Sequence, residues 1–322
     1  MIKIILILLL FITIPVFSYS GENAVYNSDD IVREFLWNEF RELSPEDRPK
    51  IGIALSGGGS RGFGHIGVLE VLSNAGFPID CISGTSMGAV VGAFFSSGLS
   101  TEKMWEIGKK ASFSYMSKDF GKFGVLKLLL GKKLFSSEEM ENFVTKTIGD
   151  VTFDQLKIPF TCSSMDIKTG EKIVFKSGSV AMAVRASMNM PGIFHPVHYR
   201  HRYLVDGGVI DYLPVSSVRK LCADWVAASV TRGDFASSSP DNILEYLLQV
   251  MEIRGALLSE TSIKEADFVF RPQVQDMGFV DFDRSIEASE RGVEEATRKL
   301  NEVKEILILQ TMGSIINKHE NS

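Results

Sequence analysis

Residues 79–97 read Ile-Asp-Cys-Ile-Ser-Gly-Thr-Ser-Met-Gly-Ala-Val-Val-Gly-Ala-Phe-Phe-Ser-Ser, and this stretch decides the fold class. Ile79 to Ser83 is a short apolar run of the kind that fills a buried strand, and Met87 to Ser97 has the Gly and Ala content of a tightly packed helix. Between them stands Gly84-Thr85-Ser86-Met87-Gly88, a G-x-S-x-G pentapeptide at a strand-to-helix turn. A serine on so sharp a turn needs neighbours without side chains, so that the backbone can fold tightly and a substrate can approach. It also stands at the start of a helix, whose positive end favours a developing anion. The pattern offers Ser86 as a nucleophile, with Gly84 and Gly88 as the elbow that presents it. The plainer alternative is a glycine-rich packing turn with an incidental serine.

Upstream, the same order of elements appears once more. Lys50 to Leu55 is an apolar strand, Gly57-Gly58-Gly59-Ser60-Arg61-Gly62 is a glycine turn, and His65 to Ala75 has helical spacing with Ile66, Leu69, Val71 and Leu72 on its buried side. Strand, tight turn and helix, twice in succession, is the mark of parallel βαβ construction. Three consecutive glycines free backbone N–H groups to converge on one point, and Arg61 can fix the loop or bias it positively. An ester-cleaving serine needs such an oxyanion hole, where one donor is worth about a hundred- to a thousandfold in rate. Glycine loops at helix starts also hold phosphates. Here the Gly-Lys-Ser/Thr pattern is absent, and no acidic residue is placed for a dinucleotide. The oxyanion reading of Gly57, Gly58, Gly59, Arg61 and Gly62 is therefore favoured.

Downstream, strands are expected at Ile158 to Ser164, Lys172 to Lys176, Tyr203 to Asp206, Trp225 to Val230 and Phe268 to Arg271, and helices at residues 241–264 and 285–311. No repeat and no Pro- or Ser-rich linker interrupts the chain. The expectation is one α/β domain over residues 50–311, led in by a polar segment at 21–49 with a short helix near Ile31 to Arg41, and followed by a polar tail at 312–322.

Two routes could activate Ser86. A Ser-Asp-His triad could draw on Asp166 and on His195, His198 or His201, but His195 sits between Pro191 and Pro196, and His198 and His201 read as an exposed hairpin. His319 lies in the polar tail. The better base is Asp206, which leaves the run Tyr203-Leu204-Val205 into Gly207-Gly208. Burial raises such a carboxylate toward a useful pKa, and accepting a hydrogen bond from Ser86 orients the hydroxyl. Taken alone, an Asp before two glycines is also a common turn cap.

Four blocks in this order resemble the patatin-like phospholipase family, in an exported bacterial form. They are G-G-G-x-R-G at Gly57 to Gly62, G-T-S-M-G at Gly84 to Gly88, D-G-G at Asp206 to Gly208, and Ala186-Ser187-Met188-Asn189-Met190-Pro191-Gly192-Ile193-Phe194. In the last block Asn189 stands where serine is frequent. Tyr212 departs from the family's usual Asn two residues before the proline, which leaves open how the loop after Asp206 is pinned. The resemblance implies a central, mostly parallel sheet between helices and a Ser86–Asp206 dyad without histidine. It also implies backbone amides near Gly58 and Gly59 on the oxyanion, no metal or cofactor, and hydrolysis of lipid acyl esters. The rival classes are a general carboxylesterase or thioesterase, and a non-catalytic lipid-binding protein of the same fold.

Composition sets the remaining bounds. With 322 residues, 45% of them hydrophobic, the chain can bury a large core. A formal charge of −6 without a dense basic block argues against a nucleic-acid partner. Lys3, the apolar run Ile4 to Phe17 and the small residues of Ser18-Tyr19-Ser20 read as a signal peptide over residues 1–20, with an uncleaved anchor as the alternative. Export to the periplasm or medium is the expectation. Cys81, Cys162 and Cys222 are too few and too scattered for a disulfide framework, and Cys81 and Cys162 are expected as buried thiols. Residues 112–135 set Phe120, Phe123, Leu126 and Leu129 among lysines, as suits an interfacial segment at a membrane surface or, equally, a core helix with solvated lysines.

Overall fold

A strand buried along its whole length must have both faces covered, and three short runs of small or apolar residues in this chain have that character. The computed structural model describes residues 27–114, 136–234 and 243–320, and it buries every residue of Ile51–Leu55, Cys81–Thr85 and Trp225–Ser229. In chain order the elements are α1 (Ser28–Arg41), β1 (Ile51–Leu55), α2 (Gly64–Asn74), β2 (Cys81–Thr85), α3 (Met87–Ser97), α4 (Thr101–Ser114), α5 (Glu138–Ile148), β3 (Phe160–Asp166), β4 (Lys172–Phe175) and α6 (Val180–Ser187). They continue with β5 (Val197–Tyr199), β6 (Arg202–Asp206), α7 (Val215–Leu221), β7 (Trp225–Ser229), α8 (Ile243–Glu265), β8 (Phe268–Phe270) and α9 (Ser285–Glu320). The sheet runs β5-β6-β3-β2-β1-β7-β8, with β4 also paired to β3. From β3 to β8 it is parallel, while β4 and β6 run antiparallel to β3 and β5 runs antiparallel to β6.

Register places the site. β2 pairs with β3 up to Thr85↔Ser163, and β6 takes over from Ser164↔Asp206. The other edge of β3 is already held by β4 through Cys162 to Met165. A strand has two edges, so β2 and β6 meet end to end along the same one. The residue after β2 is Ser86, and the last residue of β6 is Asp206.

Helices cover both faces of the sheet. Trp37 stacks on Phe40 and on Phe77, and its indole N–H donates to the Ala75 carbonyl, which ties α1 to the end of α2. α2 and α9 approach through glycines: a Cβ on Gly67 would lie 2.0 Å from the Ser289 carbonyl oxygen, and one on Gly292 would lie 2.0 Å from that of Gly64.

Three sequence expectations change. Helix α9 does not stop at residue 311 but runs to Glu320, because Ile315 is buried and Lys318 and His319 reach Glu39 on α1. Residues 312–320 of the expected polar tail are in fact the last turns of that helix. Cys81 is not a thiol: it is joined to Cys222, 141 residues away, while Cys162 is free and buried. Helices α4 to α7 were not assigned from sequence. Residues 1–20 and the segment holding Phe120, Phe123, Leu126 and Leu129 lie outside the described residues.

Candidate active site

Ser86 follows β2 directly and sits with φ 54° and ψ −122°, a conformation that side chains rarely adopt. Strain of this kind costs on the order of 1–3 kcal/mol and persists only where packing over-determines it. Packing does so here. A Cβ on Gly84 would lie 2.2 Å from the Gly88 carbonyl oxygen, and one on Gly88 would lie 2.4 Å from that of Ser56. The elbow is thus pressed against the end of β1. The Ser86 N–H donates to the hydroxyl of Ser187 at 3.0 Å, and the Thr85 hydroxyl donates to the Asp211 carbonyl at 2.7 Å.

Asp206 meets Ser86 across the joint between β6 and β2. The Ser86 hydroxyl donates to Oδ2 at 2.7 Å, and the Gly208 N–H donates to Oδ1 at 2.7 Å. The Asp206 backbone N–H is held by the Asn189 carbonyl at 2.9 Å, and the Asn189 amide donates to the carbonyls of His195 and Leu204. Burial lifts the Asp206 carboxyl to about 6, against the opposing pull of its two hydrogen bonds. A carboxylate of that strength is ionised at neutral pH and is a far better proton acceptor than an exposed aspartate.

The glycine loop divides its work. The Gly57 N–H is committed to the Tyr212 carbonyl and the Ser60 N–H to that of Phe279, each at 2.9 Å. Between them, among the described residues, the N–H groups of Gly58 and Gly59 have no acceptor. Gly58 has φ 152° and Gly59 has φ 58°, so this exposure of amides needs residues without Cβ. Of the five expected loop residues, then, Gly58 and Gly59 are free to donate, and Gly57 is not. Gly62 makes room: a Cβ there would lie 2.5 Å from Met87. Arg61 is buried and turned aside. It donates to the Met277 carbonyl at 2.9 Å, pairs with Glu252 of α8 and lies over the Phe279 ring, so it anchors the loop and does not line the cleft.

Tyr212, where the family usually has Asn, pins the loop after Asp206 by itself. Its hydroxyl donates to the Thr231 carbonyl at 3.0 Å, and its own carbonyl holds Gly57. Next to it the buried Asp211 carboxylate accepts from Ser163 at 2.8 Å and Ser217 at 3.3 Å, and lies 3.2 Å from the Lys172 ammonium. Above the dyad lies a cleft of about 350 Å³ including its open mouth, walled by Gly57, Gly58, Tyr212 and Phe279 and roofed by Leu248, Met251 and Glu252 of α8.

No described histidine touches Ser86. His65 is buried with Nδ1 2.8 Å from the Ser229 hydroxyl and Nε2 3.0 Å from the Ser56 carbonyl, and burial lowers its pKa to about 4. His195, His198 and His201 are exposed, and His319 pairs with Glu39. Asp166 accepts from Lys168, Thr169 and Tyr203 and so shapes the β3–β4 turn; it holds no histidine. Among the described residues, no three His, Cys, Asp or Glu side chains converge as metal ligands.

Two contributors were not singled out from sequence. Ser187 was quoted only as part of a motif, because its partner lies 101 residues earlier. The Met87 N–H is the other. It is the first amide of α3, left over at the helix start directly after Ser86.

A family model described as patatin-like phospholipase matches residues 53–219, more than half of the chain. The chain belongs to this family. An uncharacterized NTE family protein of Mycobacterium tuberculosis is 30% identical over 67% of this chain and 59% of its own length. A lysophospholipase of Emericella nidulans is 31% identical over 55% of this chain and 12% of its own. The chain therefore spans about three fifths of the first relative and about an eighth of the second. Among solved structures, human GIVD cytosolic phospholipase A2 aligns at TM-score 0.49 and 11% identity, covering 90% of this chain and 66% of that one. VipD from Legionella pneumophila aligns at TM-score 0.46 and 13% identity, over 79% and 67% respectively.

Proposed function

We propose that this patatin-like protein is a serine acyl hydrolase of lipid carboxylic esters, of the phospholipase A or lysophospholipase type, working through a Ser86–Asp206 dyad. The observation that carries the reading is the 2.7 Å hydrogen bond from a strained, cleft-lining serine to a buried carboxylate with its pKa raised to about 6. In the forward step Ser86 Oγ attacks the ester carbonyl carbon as its proton passes to Asp206. The carbonyl oxygen becomes an anion facing the amides of Gly58, Gly59 and Met87. Collapse expels the alcohol, which takes the proton from Asp206, and leaves an acyl group on Ser86. Water then attacks the acyl carbon, giving its proton to Asp206, and the free acid departs as that proton returns to Ser86. The similarity to proteins named lysophospholipases supports a lipid as the acyl donor. An alkyl fluorophosphonate should label the wild type, and Ser86→Ala should not label. Equal labelling of the two would remove Ser86 from the mechanism, and hydrolysis confined to short water-soluble esters would remove the lipid.

We also propose that the protein is exported. The apolar N-terminal run fits an export signal, and the Cys81–Cys222 bridge fits an oxidising compartment. N-terminal sequencing of protein recovered outside the cytoplasm should begin near Gly21; recovery of the intact chain from the cytoplasm, with reduced cysteines, would overturn this.

A further inference from the structure

Helix α8 is apolar on two opposite faces. Its inner face sends Leu248, Met251 and Glu252 into the cleft roof and packs Gly255 against the Tyr212 ring. Its outer face carries Ile243, Tyr246, Leu247, Val250, Ile253 and Leu257, all exposed. Ile243 and Leu257, at the two ends of this row, are 69% and 68% exposed. At about 100° per residue the six fall within an arc of roughly 120°, a continuous stripe centred opposite the cleft-facing residues. A stripe this large on a soluble surface marks a contact site.

We propose that the outer stripe of α8 docks the enzyme on a zwitterionic lipid surface, with the mouth of the cleft opening at that surface. The proposal rests on the lipid-hydrolase reading and adds where and how the lipid is met. Continuity is the first argument. One helix supplies both the roof over Ser86 and the stripe, and the exposed Val280 directly follows the cleft-lining Phe279. Charge is the second. Between Ile243 and Leu257 the arc holds a single charged residue, Arg254, whose Nε donates to the Val209 carbonyl; the exposed Lys264 lies on the same arc two turns beyond Leu257, and Arg232 nearby is paired with Glu260. Two separated cations are not a basic cluster, so apolar burial outweighs any preference for an anionic surface. Size is the third. The six side chains bare roughly 600 Å², short of the roughly 800 Å² per partner that a stable protein interface buries.

The test uses the full chain with Leu257→Trp and, as control, Leu309→Trp, an equally exposed apolar position on α9 beyond its contact with α2. Each is read as a difference from the unsubstituted protein on phosphatidylcholine vesicles with and without brominated acyl chains. At position 257 the added emission should shift to the blue and lose more than about half its intensity to bromine, changing less than about twofold between low and molar salt. At position 309 it should do neither. Absence of quenching at 257, equal quenching at both positions, or loss of binding in salt overturns the proposal. A second variant, Leu247→Ser with Val250→Ser and Leu257→Ser, should lose about tenfold or more on phosphatidylcholine vesicles while keeping soluble short-chain ester turnover within about twofold. If instead a wild-type dimer becomes a monomer in this variant, with vesicle turnover unchanged, the stripe is an interface between copies and the proposal fails. Because Ser86→Ala should still dock, quenching by an enzyme that hydrolyses nothing sinks the catalytic reading and leaves the docking surface standing.

Discussion

Ser86 and Asp206, the proposed nucleophile and base, come from halves of the sheet that are held together by different means. On the parallel side, β1, β2 and β7 are buried throughout, and the Ser86 turn is wedged between backbone atoms that leave no room for a side chain at Gly84 or Gly88. On the antiparallel side, the β5–β6 hairpin carries exposed His198 and turns through Arg200 at φ 55°, and Asp206 is positioned by single hydrogen bonds from Ser86 and Gly208 and to Asn189. Ser86 is placed by packing and Asp206 by hydrogen bonding. Damage on the first side should therefore appear as lost stability, and damage on the second as lost rate.

The sharpest break in that contrast is Asp206→Asn, which keeps shape and removes the proton acceptor. Turnover should fall by about a thousandfold or more, since a positioned general base contributes roughly a hundred- to ten-thousandfold. Stability at neutral pH should hold or rise, because burial raises the carboxyl from 3.8 to about 6 and so disfavours its charged form in the fold. The sign follows from the raised value: the folded state holds this proton more tightly than the unfolded chain, so the residue's contribution to stability is lost as pH rises through about 6. Rate runs the other way, falling about tenfold per pH unit below 6 in the wild type as the base is protonated. A kcat profile flat down to pH 4, or a variant with near-normal turnover, would break the assignment.

The middle effect lies on the packed side. Cys222→Ser opens the bridge that fastens the start of β2 to the end of α7, and should lower unfolding free energy by about 2–5 kcal/mol while kcat at room temperature stays within about twofold. Chemical denaturation alongside a rate assay checks both; a large fall in kcat without a change in stability would reverse the contrast. The smallest effect tests the boundary between the two sides. Ser187→Ala leaves the Ser86 N–H buried without its acceptor, and should reduce kcat about tenfold, with KM nearly unchanged and about 1 kcal/mol lost in stability. Ser187→Thr, which keeps the hydroxyl, should recover most of that rate; failure to recover it would make Ser187 a packing residue only.

Much of the fold was legible because it rests on local pattern. The short runs that became β1, β2 and β7 and the glycine turns after β1 and β2 declare themselves within a dozen residues, and the Asp-Gly-Gly at the end of β6 marks Asp206. What stayed hidden depends on distant partners. Cys81 looks like any small buried residue until Cys222 arrives 141 positions later beside it. Residues 312–320 look like a polar tail because their apolar members are sparse, and they stay helical through contacts with α1 that no window of sequence contains. The glycine loop was read as one oxyanion unit, yet only the partners of Gly57 and Ser60, at Tyr212 and Phe279, decide which amides remain to donate.

The end-to-end meeting of β2 and β6 on one edge of β3 also has a consequence in time. Ser86 and Asp206 are 120 residues apart, and each reaches the other only after β3 has formed between them and accepted both strands. A chain still emerging or half folded carries both residues but does not bring them together. The pairing of Ser86 with Asp206 is thus a property of the assembled β2, β3 and β6, and the topology itself acts as the safety catch on the proposed activity.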